Sequence, residues 1–182
     1  MIWCQSNRFD PVACDLADRH YNRQKTGTNQ FVPPGRCAVY VAEAANALWV
    51  TSWPAFAQHA WTGGWICTVF RNEGAGTASE LIREAVACTR WHFGEPPSIG
   101  MISFINRKSV RPIMVRGVPT WGRTWRKAGF VNAGETPKGL LVMQLHPVDM
   151  PAAQEPQGRR FNLPLFELIN PVRSPLQWMS PL

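Results

Sequence analysis

The clearest pattern in the chain runs from Trp65 to Gly94. Ile66 to Phe70 is an apolar, β-branched run that predicts a buried strand. Arg71 to Gly76 breaks it, with glycines at alternate positions 74 and 76. Thr77-Ala78-Ser79-Glu80 then has the Thr-x-x-Glu form of a capping box, in which hydroxyl and carboxylate satisfy N–H groups at a helix start. Ala78, Leu81, Ile82, Ala85, Val86 and Thr89 follow at three- and four-residue steps, which predicts one inward helix face. Strand, glycine turn and helix start together gather free N–H groups and the positive end of a helix dipole at one point. An anion such as a phosphate can bind there.

The flanking pattern fills out one domain. Asp10-Pro11 predicts a capped helix start, with the helix running to about Arg23 and Ala13, Leu16, Ala17 and His20 on its inward face. Residues 24–35 read as a polar, then proline-rich loop. Residues 36–43 and 47–53 predict a strand hairpin turning at Ala45-Asn46, and residues 54–64 a connection. Met101 to Ile105 predicts a strand, and Arg107 to Pro119 a basic loop. Trp121 to Ala128 predicts a short helix closed by Gly129, and Leu140 to His146 a last strand. The pattern thus predicts an α/β (α+β) domain over residues 1–147. A proline-rich tail, 148–182, would pack on it through residues such as Phe161 and Leu165, or stay partly flexible.

Composition narrows the class. A chain of 182 residues suits one domain with a sizeable core. It has no apolar run long enough to span a membrane. Met-Ile-Trp-Cys-Gln is not a secretory leader. The five cysteines form no Cys-x-x-Cys pair, so they read as reduced thiols of a cytoplasmic protein rather than a structural zinc site. His59, His92 and His146 show no ligand spacing, so no metal site is read. The net charge of +7 favours polyanions such as nucleic acid or coenzyme phosphates, or serves solubility alone. Of the nine tryptophans, some belong to a core and others could stack on bases.

Chemistry-bearing residues bunch in Arg19-His20-Tyr21-Asn22-Arg23. His20 reads either as a hydrogen-bonded core residue or as a proton carrier with a suitable intrinsic pKa. Arg71 reads as a partner for Glu73 or for a phosphate, and Glu73 as a solvated turn residue or a proton carrier.

Arg71-x-x-Gly74-x-Gly76 at a strand-to-helix junction resembles the pyrophosphate-binding signature of the GNAT acyltransferase superfamily. Thr124-Trp-Arg-Lys-Ala-Gly-Phe130, followed by Gly134, resembles that family's last helix. The resemblance implies a mixed, mostly antiparallel central sheet flanked by helices, with splayed central strands. It also implies acetyl-CoA or a related acyl-CoA on Arg71, Asn72, Glu73, Gly74, Ala75, Gly76, Thr77 and Ser79. Arg19 to Arg23 further resembles the His-Tyr-Ser-x-Arg element of the phage Mom-like DNA-modification proteins. Arg71, Thr77-Ala78-Ser79, Ser103 to Asn106 and Trp125 to Gly134 resemble further elements of that family, in the same order, across roughly residues 10 to 146. Those enzymes convert the adenine amino group of phage DNA to a methylcarbamoyl derivative that shields it from restriction in the bacterial host. The resemblance places His20, Tyr21, Ser103, Asn106 and Trp125 at the chemistry.

Two positions depart from that family. Its Asp is Asn106 here, which cannot act as a base, and its Tyr is Trp125, a very poor acid. The DNA partner would present a flipped or single-stranded adenine. Its phosphates would meet Arg107, Lys108, Arg111 and Arg116, with Arg23 and Lys25 nearby. Two other readings stand beside this one: a GNAT N-acetyltransferase for a protein or small-molecule amine, and a non-catalytic DNA-binding module on a GNAT-like domain.

Overall fold

The computed structural model describes residues 1–54 and 60–160. Its centre is an eight-stranded sheet. The strands are β1 (Trp3–Ser6), β2 (Arg36–Ala42), β3 (Ala47–Trp53), β4 (Trp65–Asn72), β5 (Met101–Ile105), β8 (Val131–Glu135), β9 (Leu141–Leu145) and β10 (Gly158–Arg159), and their order is β10-β1-β2-β3-β4-β5-β9-β8. The sheet is mostly antiparallel, with parallel pairing between β4 and β5 and between β1 and β10. The short strands β6 (Ile113–Val115) and β7 (Val118–Thr120) form a separate hairpin. Among the described residues there are three α-helices, α1 (Pro11–Asp18), α2 (Ala78–Phe93) and α3 (Arg123–Lys127), and a 3-10 turn at Pro147–Asp149. None is long and apolar enough to cross a membrane.

Strand alternation divides the core in two. Tyr40, Trp49, Trp65 and Met143 pack with Leu81, Ile82, Val86 and Phe130 on the side of α2 and α3. Val39, Val41, Leu48, Val50 and Val69 pack with Ala13, Leu16 and Ala17 of α1 on the other. Neighbouring residues of one strand therefore serve opposite layers, as the two-residue strand period requires. Burying each such Leu, Ile or Val contributes about 1.5–3 kcal/mol. Side chains also tie α2 to the sheet: the Tyr40 hydroxyl donates to the Cys88 carbonyl (2.7 Å) and the Trp3 indole N–H to the Leu81 carbonyl (3.0 Å).

Several local expectations change. Asp10 caps α1 by accepting from the Val12 N–H at 2.8 Å, with Pro11 in the first turn. The helix nevertheless stops at Asp18 instead of reaching Arg23, so His20 lies in the following turn and not on the inward face of α1. Thr77 stands at the cap position of α2 without a side-chain hydrogen bond, so the capping box is not formed. The basic stretch after β5 contains the β6–β7 hairpin. Residues 148–160 run back along the domain: Gln154 donates its N–H to the Ala87 carbonyl (3.1 Å) and β10 pairs with β1. Phe161 and Leu165 lie outside the described residues.

One irregularity shapes the middle of the sheet. β4 pairs with β5 at three positions, ending at Cys67 opposite Ser103. The β3–β4 register shifts at the same place, because Thr68 is an extra residue between Cys67, opposite Thr51, and Val69, opposite Val50. A bulge bends its strand. β4 turns at Thr68, and the two central strands part.

Candidate functional site

A cleft of about 840 Å³ opens where β4 and β5 part. Ile66 to Phe70 and Ser103 to Ile105 form its walls. Residues 20–25 and 28–33 close one side, and the β6–β7 hairpin and the start of α3 close the other. His20, Tyr21, Ser103, Trp125, Arg23, Lys25 and Arg111 line it; Arg71 to Thr77, Ser79, Asn106, Arg107, Lys108 and Arg116 do not.

Three consecutive side chains bridge the parted strands. Asn22 donates from its amide to the Thr68 carbonyl at 3.4 Å. The Phe70 carbonyl, two residues on and so on the same strand edge, faces the His20 ring. The Tyr21 hydroxyl reaches the backbone N–H of Asn106 at the end of β5. Asn22 and His20 thus lie against carbonyls of β4, and Tyr21 against the N–H that follows β5, where further β4–β5 pairing would have run.

Electrostatics separate the roles of these residues. Burial, and then the Arg71 charge, push the His20 pKa down to about 4 against the opposing Phe70 carbonyl. Its Nδ1 accepts from the Asn22 N–H at 3.3 Å, and the ring is neutral at pH 7. Its ring stacks on Tyr21, with centroids 4.4 Å apart. Burial pushes the Tyr21 pKa up, partly offset by the Asn106 N–H, so the phenol keeps its proton. Ser103 is buried at the apex of the cleft, beside Cys67. Burial pushes the Cys67 thiol well above its ordinary value, which keeps it protonated. Trp125 packs edge-on against Phe70 and Phe130 with one side to the cleft. The Asn106 side chain is spent on a turn, accepting from the Lys108 N–H at 3.0 Å.

The glycine loop is closed on itself. Asn72 Oδ1 accepts from the N–H groups of Gly74 (3.2 Å) and Ala75 (2.9 Å), and its amide donates to the Gly76 carbonyl (2.9 Å). The Glu73 N–H goes to the Asn46 carbonyl at 2.8 Å. Gly74 and Gly76 take φ of 89° and 150°, which glycine adopts without a Cβ penalty. Arg71 donates to Glu73 (2.7 Å) and to the Arg19 carbonyl, while Arg19 grips the same carboxylate at 2.8 and 3.1 Å. Arg19 first and Arg71 second hold the Glu73 carboxyl down, to about 2, so it stays ionised and carries no proton. The first intrahelical bonds of α2 run from Glu80 and Leu81 to the Thr77 carbonyl. The N–H groups of Thr77, Ala78 and Ser79 therefore remain open to a partner, as at any helix start, and Ala78 borders the cleft. The open N–H groups are thus at this helix end and not in the interior of the loop, whose Gly74 and Ala75 amides are taken by Asn72.

The cations also divide. Arg23 is spent on Asp18 (2.5 Å), the Gln30 carbonyl (2.7 Å) and Thr28, and so holds the 23–30 loop. Arg107 pairs with Glu135 at 2.6 Å. Lys25 and Arg111 stand exposed on the cleft wall, and Arg116 sits at the apex of the β6–β7 hairpin. Sequence reasoning gave Asn22 and Thr68 no role and read Asn72 as a coenzyme residue, where it closes the loop instead. An Asn two residues before a glycine signals a side-chain turn that captures backbone N–H groups, but nothing local marks Asn22 or Thr68. Among the described residues no three His, Cys, Asp or Glu side chains gather as a metal-holding group. No protein-family model, no curated protein and no solved structure matches this chain.

Proposed function

We propose that this chain is a GNAT-type acyltransferase of the Mom-like kind, acting on the exocyclic amino group of adenine in DNA. The observation that carries the reading is the parting of β4 and β5 after Cys67 and Ser103, with Tyr21, Ser103 and Trp125 lining the cleft that opens there. In the family that the motifs resemble, donor and acceptor meet between two such strands. A bound acyl thioester would supply the activated acyl group. The N–H groups of Thr77, Ala78 and Ser79 would hold its pyrophosphate at the positive end of the sixteen-residue helix α2.

Tyr21 takes the part that Trp125 cannot. Its hydroxyl keeps its proton at neutral pH and stands in the cleft, where a leaving group needs a general acid. His20, neutral and held at Nδ1 by the Asn22 N–H, stacks on Tyr21 and positions it. Trp121 and Trp125 offer flat apolar surface to a base, and Lys25 and Arg111 offer charge to phosphates. A second reading, a non-catalytic DNA-binding module on the same fold, draws on a different observation. Arg71 and Asn106, two motif positions, spend their side chains on the protein itself.

Mass spectrometry of nucleosides from plasmid DNA, after expression in bacteria, tests the proposal beside Tyr21→Phe. A heavier adenosine species is expected, reduced about 100-fold in the variant. Unmodified nucleosides from a chain that binds DNA would leave the binding module. Acyl-CoA binding without DNA affinity would point to a protein or small-molecule amine.

A further inference from the structure

We infer that the β6–β7 hairpin is a wedge that enters a DNA duplex and unstacks a base step at the mouth of the cleft. The inference rests on the DNA reading above and deepens it, since it makes duplex rather than single-stranded DNA the substrate.

The hairpin is apolar where water should meet it. Its register sets Ile113 opposite Thr120, Met114 opposite Pro119 and Val115 opposite Val118. Strand alternation then puts Met114 and Pro119 on one face and Ile113, Val115 and Val118 on the other. Met114 is 59% exposed and Val118 62%. A strand pair in water ordinarily keeps one face polar; this one has two apolar faces and belongs to no larger sheet. Apolar surface ringed by charge marks an interaction site.

The charge says what the partner is. Between Arg107 and Lys127 the chain has seven Lys or Arg and no Asp or Glu. Arg116 and Gly117 form the turn with φ of +50° and +79°, the paired positive values of a two-residue hairpin turn. Arg116 therefore stands at the apex. In a bilayer the apex guanidinium would be carried toward hydrocarbon, at high cost. On a duplex it meets phosphate.

Size and place agree with a duplex. Three-residue strands rise about 10 Å, against a DNA groove roughly 8 Å deep. Ile, Met and Pro are the side-chain types that pry base steps apart. The base of the hairpin is pinned by the Trp121 indole N–H donating to the Val110 carbonyl at 2.8 Å. Ile113 and Thr120 form part of the cleft wall. A base displaced by the tip would thus lie beside Trp121 and Trp125.

Fluorescence of 2-aminopurine, placed for adenine in a short duplex, reads unstacking without any donor or turnover. The wild-type chain is expected to raise it severalfold on binding. Met114→Ser/Val118→Ser should lose most of that rise while keeping its duplex affinity, because the phosphate contacts remain. Arg111→Ala/Arg116→Ala should weaken binding and lower the log–log salt slope by about 2. Thermal unfolding checks the Ser pair, and Met114→Ser alone replaces it if the pair does not fold. No rise with the wild type, or a full rise with the Ser variant, overturns the wedge. Binding to phosphatidylserine vesicles in place of duplex, lost in the Ser variant, overturns it in favour of a membrane. A rise with unmodified nucleosides supports the wedge and removes the acyltransferase reading; modified nucleosides without a rise remove the wedge alone.

Discussion

His20 sits between the Phe70 carbonyl and the Asn22 N–H, under the field of the Arg71 guanidinium. Burial first, and then the like charge of Arg71, disfavour a proton on its ring, which is why its pKa falls to about 4 from an ordinary 6.5 against the opposing Phe70 carbonyl. The unfolded chain takes that proton first, so acid favours unfolding. The His20 contribution to stability is therefore expected to fall as pH drops from 6.5 toward about 4, and to level off below. His92, lowered by burial and by Arg36, adds the same sign. Glu73 acts lower, since its contribution is present above 4.5 and is lost as pH falls toward about 2. Urea midpoints at about pH 7, 5.5 and 4 check this. His20→Gln should flatten the upper part of the slope, and wild-type activity should show no His20 inflection near neutrality.

Elements meet at Gly100, just before β5. Its carbonyl accepts from the Trp65 N–H at 3.0 Å, and its φ is +76°. A Cβ there would come within 2.0 Å of the Leu145 carbonyl oxygen on β9. Backbone cannot step aside as a side chain can, so Gly100→Ala carries both a left-handed penalty and a clash. A loss of roughly 3 kcal/mol or more is expected in urea unfolding. Gly74→Ala is the control. Its φ is +89° but nothing lies within 4 Å of the added Cβ, so a loss of about 1–2 kcal/mol is expected. The difference between the two isolates the β4–β5–β9 junction from the cost of φ alone. The same junction sets the site, because the strands part three residues beyond it.

Across the whole molecule, the N-terminal residues and residues 157–160 close the sheet edge together. Asp10 is buried, caps α1, accepts from the Ser6 hydroxyl at 2.6 Å and pairs with Arg160 at 3.1 Å. The Arg160 N–H also donates to the Gln5 carbonyl at 2.9 Å. Removing one partner leaves a buried carboxylate poorly compensated. Arg160→Ala is therefore expected to cost about 3 kcal/mol, read as a lower melting temperature. Residues up to Arg160 belong to the folded domain, beyond the compositional change at Val148.

What the sequence determined by itself was local. Apolar runs and turn residues marked β2, β3, β4, β5 and β9. The Asp10-Pro11 cap and the spacing from Ala78 to Thr89 marked where α1 and α2 begin and which face α2 buries. These signals lie within a few residues of what they specify. The tertiary structure decided the rest. Trp3 to Ser6 and Gly158-Arg159 are too short to declare themselves and become strands only against β2 and each other. α1 stops at Asp18, short of Arg23, and the residues after it meet the carbonyls of Thr68 and Phe70 on the parted strand. Asn72, which looks like one more residue of a phosphate loop, captures the amides that such a loop would offer. Tyr21, Ser103 and Trp125 are far apart in the chain and line one cleft because Thr68 bends β4 away from β5. No periodicity encodes that meeting, since it depends on which strands pair and where their pairing stops.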